Sequence, residues 1–133
     1  MPALAVDTHA ILWYLTADPR LSSRAAKALE QATFEGALIH VPSICLVELT
    51  YLIEKDRVPD TARQRLLKAL DDPATNFQLA PLNRLIADTL EFVSRSEVPD
   101  MPDRIISATA LALRVPLISR DGKIRASQIQ TIW

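Results

Sequence analysis

The chain has 133 residues, 49% hydrophobic and 23% charged, and by surface scaling it can bury about two-thirds of its extended surface, enough for one core and too little for two. Its 15 basic and 16 acidic residues give a net charge of −1, so the strongly basic footprint of a groove-tracking nucleic-acid binder is missing, although a local site can differ in sign from the whole. Two glycines, one cysteine (Cys45) and two separated histidines (His9 and His40) exclude a Walker loop, a dinucleotide turn, an internal disulfide, a multi-cysteine zinc site and an HExxH helix.

Ala3–Val6 reads as a buried strand followed by a helix from His9 to Leu15. Ser22 and Ser23 introduce a helix to Thr33, and Gly36 precedes a strand over Ala37–Val41. Ser43 is the expected cap of a helix reaching Lys55, and Asp60 of one reaching Leu70, which Asp71, Asp72 and Pro73 stop. Phe77–Leu79 reads as a short strand and Asn83–Arg95 as a helix. After a loop over Val98–Pro102, Asp103–Leu113 is helical, Pro116–Ser119 a strand, Arg120–Lys123 a turn and Gln128–Trp133 a last strand. Strands separated by helices predict parallel pairing through crossovers, hence one α/β domain over residues 1–133 with a mostly parallel central sheet flanked by helices. No apolar run approaches the roughly 18 residues of a membrane span, and no basic region precedes a signal-peptide core, so a cytoplasmic location is expected.

Ligands of parallel sheets sit beyond the carboxyl ends of the strands, where Asp7 and Asp121 fall. If those two strands are neighbours, both carboxylates face one cleft. Each also has a plain alternative: Asp7 as a helix cap, Asp121 as a turn residue beside Gly122. Glu48 is the only charge in ICLVELTYLI, a stretch apolar around most of its circumference and therefore expected to be buried. Such a carboxylate needs an arginine or a cation. In PDMPDR, Pro102 suits a first helical position, which places Asp103 in the first turn, where the dipole favours an anion.

The four acids together say more than each alone. Two unit charges about 5 Å apart cost roughly 3 kcal/mol at an effective dielectric of about 20, so four converging carboxylates call for a cation. An all-oxygen set suits Mg²⁺ or Mn²⁺ rather than zinc, and points to metal-assisted phosphoester hydrolysis.

AVDTHAILWYL, VPSICLVELTYLIEK and DMPDRIISATALALRVPLISRDGKI resemble, in order and spacing over nearly the whole chain, the motifs of PIN-domain proteins, especially the ribonuclease toxins of VapBC toxin–antitoxin pairs. The resemblance implies a Rossmann-like PIN fold that cuts RNA with Mg²⁺ or Mn²⁺. Asp7, Glu48, Asp103 and Asp121 match its acidic positions and Thr8 and Ser119 its supporting hydroxyls; Asp100 matches an acid of ligating or merely positional role. It further implies a homodimer and a small antitoxin partner. Arg120, Lys123 and Arg125 beside the fourth acid are candidate RNA contacts or a solvated basic turn; His9 is read as packing or as a support behind the acids, Trp13 as packing rather than stacking on a base, and Cys45 as a small core residue. A phosphoryl-receiving domain or a haloacid-dehalogenase-type phosphatase wants a second acid near Asp7, and DTH has none. The rival from another class is a non-catalytic PIN-like module that binds RNA or protein.

Overall fold

The computed structural model describes residues 3–133. Its strands β1 (Leu4–Val6), β2 (Ile39–Pro42), β3 (Phe77–Ala80), β4 (Leu117–Ile118) and β5 (Thr131–Ile132) form one sheet in the order β3-β2-β1-β4-β5. All four pairings are parallel. The helices are α1 (Thr8–Leu15), α2 (Ser23–Glu35), α3 (Ile44–Glu54), α4 (Asp60–Asp71), α5 (Arg84–Thr89), α6 (Met101–Leu113) and α7 (Gly122–Ala126). The expected layered α/β architecture is therefore present, with a sheet that is parallel throughout.

Central strands of such a sheet are covered on both faces, which accounts for their unbroken apolar runs. Every residue of β1 is buried, as are Ile39 and Val41 of β2 and both residues of β4. Ile11, Leu29, Leu49, Leu66 and Ile106 project from five helices into the same core. Each fully buried side chain of this size contributes about 1.5–3 kcal/mol of transfer free energy. α2 ends where Gly36 adopts a left-handed φ of 71°, a conformation costly for any side chain bearing Cβ, and its N–H closes the last turn onto Thr33.

Several local expectations are corrected. Ser43 holds the N-cap position of α3 as expected, but its backbone is helical and its hydroxyl caps nothing there, accepting instead the Leu82 N–H at 3.0 Å and tying α3 to the segment after β3. Asp60 is the first residue of α4 behind Pro59, so it meets the helix dipole without capping. The predicted helix over Asn83–Arg95 ends at Thr89 and tightens into a 3-10 turn, Leu90–Phe92. There Arg104 of α6 donates to the Leu90 and Val93 carbonyls at 2.9–3.1 Å, alongside the Val93 N–H that closes the turn onto Leu90. α6 begins earlier than expected, at Met101, because Asp100 caps it by accepting the Asp103 N–H. The predicted turn over Arg120–Lys123 leads straight into α7, which Asp121 caps. α3 is not buried all round: Cys45 and Leu49 are, whereas Val47 and Tyr51 stand 48% and 58% exposed.

Among the described residues, one buried polar side-chain atom lacks a partner. The Ser107 hydroxyl, fully buried in the middle of α6, makes no hydrogen bond. An unsatisfied buried hydroxyl costs about 1–3 kcal/mol, more than the small void left on removing it. Ser107→Ala is expected to raise the melting temperature by a few degrees in calorimetry; a drop would show that the hydroxyl has a partner in solution.

Candidate active site

The strand order turns back at β1, with β2 on one side and β4 on the other, and this switch point opens a crevice at the carboxyl edge. β1 and β4 pair with Val6 opposite Ile118, so Asp7 and Asp121 leave the sheet side by side, and the Asp7 N–H is held by the Ile118 carbonyl at 3.1 Å. Asp7 Oδ1 accepts the Ala10 N–H at 2.9 Å. Asp121 Oδ1 accepts the Lys123 and Ile124 amides, and its own N–H donates to the Ser119 hydroxyl. Capping and site-lining are thus the same geometry. A cap at the start of a helix that follows a parallel strand is already aimed at the ligand edge.

A pocket of about 350 Å³ lies there, lined by Asp7, Glu48, Asp100, Asp103 and Asp121 together with Thr8, His9, Trp13, Ile106 and Arg120. All five carboxylates singled out in the sequence meet in it. Lys123 does not line it: the side chain is exposed on α7 and only the amide touches Asp121. Arg125 is likewise exposed outside it.

The acids are poorly neutralised. Glu48 has no arginine; Thr8 Oγ1 donates to its Oε1 at 2.7 Å. Arg104, next to Asp103, turns away to the carbonyls of the 3-10 turn. Arg120 lines the pocket with its guanidinium over the Trp13 ring, 4.6 Å from the centroid. Burial, reinforced by the Asp121 charge, pushes the Asp7 carboxyl up to about 6 against the pull of the Ser119 hydroxyl and Ala10 amide. Asp103 rises to about 7 through burial and the charges of Asp121, Asp100, Glu48 and Asp7. Burial also raises Glu48, with the Thr8 hydrogen bond opposing. Burial lowers His9, partly offset by the Glu48 charge.

Among the described residues, no three of the acid, histidine and cysteine side chains already close on a common metal position. Like charges spread apart when no cation draws them in. The chemistry of the donor set nevertheless fits a hard divalent cation: carboxylate oxygens predominate, burial and neighbouring negative charge raise two of the carboxyls to about 6 and about 7, and the single thiol is buried.

His9 both packs and supports the site: it is exposed, lines the pocket beside the acids and leans on Trp13 at 5.4 Å between ring centroids. Arg20, unremarked in the sequence, packs on the same indole at 5.0 Å from the loop between α1 and α2. No local pattern announces either arrangement, since both depend on how that loop folds back on α1.

A wholly parallel α/β domain presents its ligand site at the switch point, and here that site is rich in carboxylates. The PIN-domain family model matches residues 4–128, and the chain belongs to the PIN-domain family. It is 26% identical over 136 residues, spanning 100% of both chains, to Ribonuclease VapC22 of Mycobacterium tuberculosis. Its fold is similar to that in VapBC2 from Rickettsia felis bound to a promoter DNA fragment, with TM-score 0.71, 16% identity, and 97% and 96% of the two chains covered. It is also similar to that in a toxin–antitoxin complex from Klebsiella pneumoniae, with TM-score 0.68, 23% identity, and 98% and 96% covered. At these identities the solved structures speak to fold alone. No helix among the described residues is long and apolar enough to cross a membrane.

Proposed function

We propose that this chain is a divalent-metal-dependent endoribonuclease that hydrolyses RNA phosphodiester bonds, acting as the toxin of a toxin–antitoxin pair in the cytoplasm. The observation that carries the reading is the convergence of five under-neutralised carboxylates on one pocket, with Asp7 and Asp103 raised to about 6 and about 7. The full-length likeness to a protein named as a ribonuclease supports RNA as the substrate. Structural neighbours that are toxin–antitoxin complexes support an antitoxin partner.

Asp7, Glu48, Asp103 and Asp121 are the residues that would hold Mg²⁺ or Mn²⁺, with Asp100 beside them at the rim. Bound there, the ion supplies positive charge for a scissile phosphate and acidifies water. Glu48 is fixed by Thr8 through Oε1, which leaves Oε2 either to join the metal-holding set or to orient an attacking water. Burial raises its proton affinity above that of an ordinary glutamate, which makes it a stronger base. Arg120 offers the pocket its one guanidinium, placed to engage a phosphate oxygen and held there by the Trp13 face. In-line attack by water leaves a 5′-phosphate and a 3′-hydroxyl, and the carboxylate pocket exposes a phosphate to strong repulsion whenever the cation is lacking.

The test is gel-resolved cleavage of total transfer RNA with Mn²⁺ and with chelator. Cleavage confined to the Mn²⁺ lane is expected. RNA binding without cleavage under any divalent ion would make the chain a binding module instead.

A homodimer belongs to the same proposal. Val47 and Tyr51, one turn apart on α3, expose apolar surface that a second copy would cover. Light scattering at tens of micromolar is expected to give a dimer, and Val47→Glu to shift it toward monomer. A wild-type monomer would remove this part of the reading.

A further inference from the structure

A second cavity, of about 600 Å³, adjoins the acidic pocket, and His9 and Trp13 line both. Its charge is opposite. Arg20 from the α1–α2 loop, Arg57 from the α3–α4 loop and Arg65 from α4 line it against a single acid, Asp18. That acid is fully engaged: Arg20 Nε and Nη2 donate to its two oxygens at 3.0 and 2.8 Å. Among the described residues, Arg57 and Arg65 make no ion pair, and Arg65 donates only to the Leu15 carbonyl, at 3.2 Å.

Trp13 joins the two cavities. Its indole is only 5% exposed, with Arg120 of the acidic pocket 4.6 Å from the ring centroid and Arg20 of the basic groove 5.0 Å from it. A ring so covered is not a platform for base stacking. It is a wall that carries an arginine toward each side. A polymer whose backbone enters the acidic pocket must continue over an adjoining surface, and a polyanion continues best along the surface with unpaired guanidinium groups.

We propose that the groove lined by Arg20, Arg57 and Arg65 is the binding track for the RNA strand that flanks the scissile bond, with Arg57 and Arg65 engaging its phosphates. This rests on the ribonuclease reading for the choice of polymer, but binding tests it separately from cleavage. The groove's volume falls in the range of ordinary ligand sites. Its function is affinity and placement, so its loss acts on KM rather than on the hydrolytic step.

The experiment measures fluorescence anisotropy of a short fluorescein-labelled single-stranded RNA of mixed sequence, in the Asp103→Asn background so that no RNA is consumed. Arg57→Ala/Arg65→Ala is expected to weaken binding on the order of tenfold at low salt, and to flatten the plot of log affinity against log salt by about 0.7 for each phosphate left without its arginine. Arg57→Lys/Arg65→Lys is expected to restore most of both, since lysine serves a phosphate as a point charge; circular dichroism checks that all variants are folded. In the cleaving protein the alanine pair is expected to raise KM about as much, with kcat little changed. Unchanged affinity and salt slope overturn the groove while leaving the ribonuclease reading intact, and a co-purifying protein that no longer accompanies that same variant would then hand the groove to a protein partner. If the wild type binds RNA through these arginines yet cleaves none, the groove stands and the ribonuclease reading falls.

Discussion

Asp103→Asn is expected to abolish divalent-dependent RNA cleavage while leaving a protein at least as stable as the wild type. The substitution keeps the shape of the side chain and removes one negative charge from a group whose neighbours are Asp121, Asp100, Glu48 and Asp7. The Asp103 carboxylate accepts no hydrogen bond among the described residues; its backbone N–H is the group that Asp100 caps. Nothing in the fold is lost with the charge except its interaction with the α6 dipole, at most about 1 kcal/mol. Against that stands relief of repulsion, up to about 3 kcal/mol for a pair 5 Å apart before the pocket's opening to water is discounted. A melting temperature equal to or a few degrees above wild type is therefore expected without metal. Groups one step removed from a metal already cost about 10- to 100-fold when mutated, so a direct ligand should cost at least about a hundredfold in cleavage. RNA binding should survive or strengthen, because the phosphate meets less negative charge. Equal cleavage of transfer RNA by both proteins would reduce Asp103 to a dipole partner.

The second large effect couples metal to pH. Asp7 and Asp103 have native values of about 6 and about 7 against an ordinary 3.8. Between about pH 4 and about pH 7 the native state therefore holds more protons than the unfolded chain, and the stability of the metal-free protein falls as pH rises through that window. Millimolar Mg²⁺ or Mn²⁺ reverses the trend, since it binds the deprotonated carboxylates of the native state and stabilises by mass action. Melting followed with and without Mn²⁺ should give a small increment near pH 5 and a larger one near pH 8, as protons stop competing. The increment should disappear in Asp7→Asn. An identical increment in that variant would put the ion elsewhere.

These expectations start from features visible along the chain. Short apolar strands alternating with helices are enough to indicate a parallel α/β sheet, and they mark Asp7 and Asp121 as residues just past strand ends. Glu48 stands out as the one charge of an apolar helix, and Asp103 as an acid at the start of another. The motif likeness to PIN domains agrees with the family match over residues 4–128. Element ends are less visible. Arg104 of α6 binds the Leu90 and Val93 carbonyls just beyond the helix after Asn83, where the chain has tightened into a 3-10 turn, and α7, with five residues, is too short for any hydrophobic period to show.

The strand order and the fate of each charge come from tertiary structure. β1 lies against β4 although more than a hundred residues separate them, and that single pairing makes neighbours of Asp7 and Asp121. Whether Glu48 meets an arginine or a hydroxyl is decided only when α1 packs on α3 and brings Thr8 to it. Arg104 turns to backbone carbonyls, and the basic groove comes to share His9 and Trp13 with the acidic pocket. Local periodicity encodes which face of an element is buried, but not which element it meets. A group's proton affinity follows from that meeting, through burial and the nearest charges. The residue types therefore named the chemistry of the pocket, and the long-range packing left its carboxylates without compensating charge.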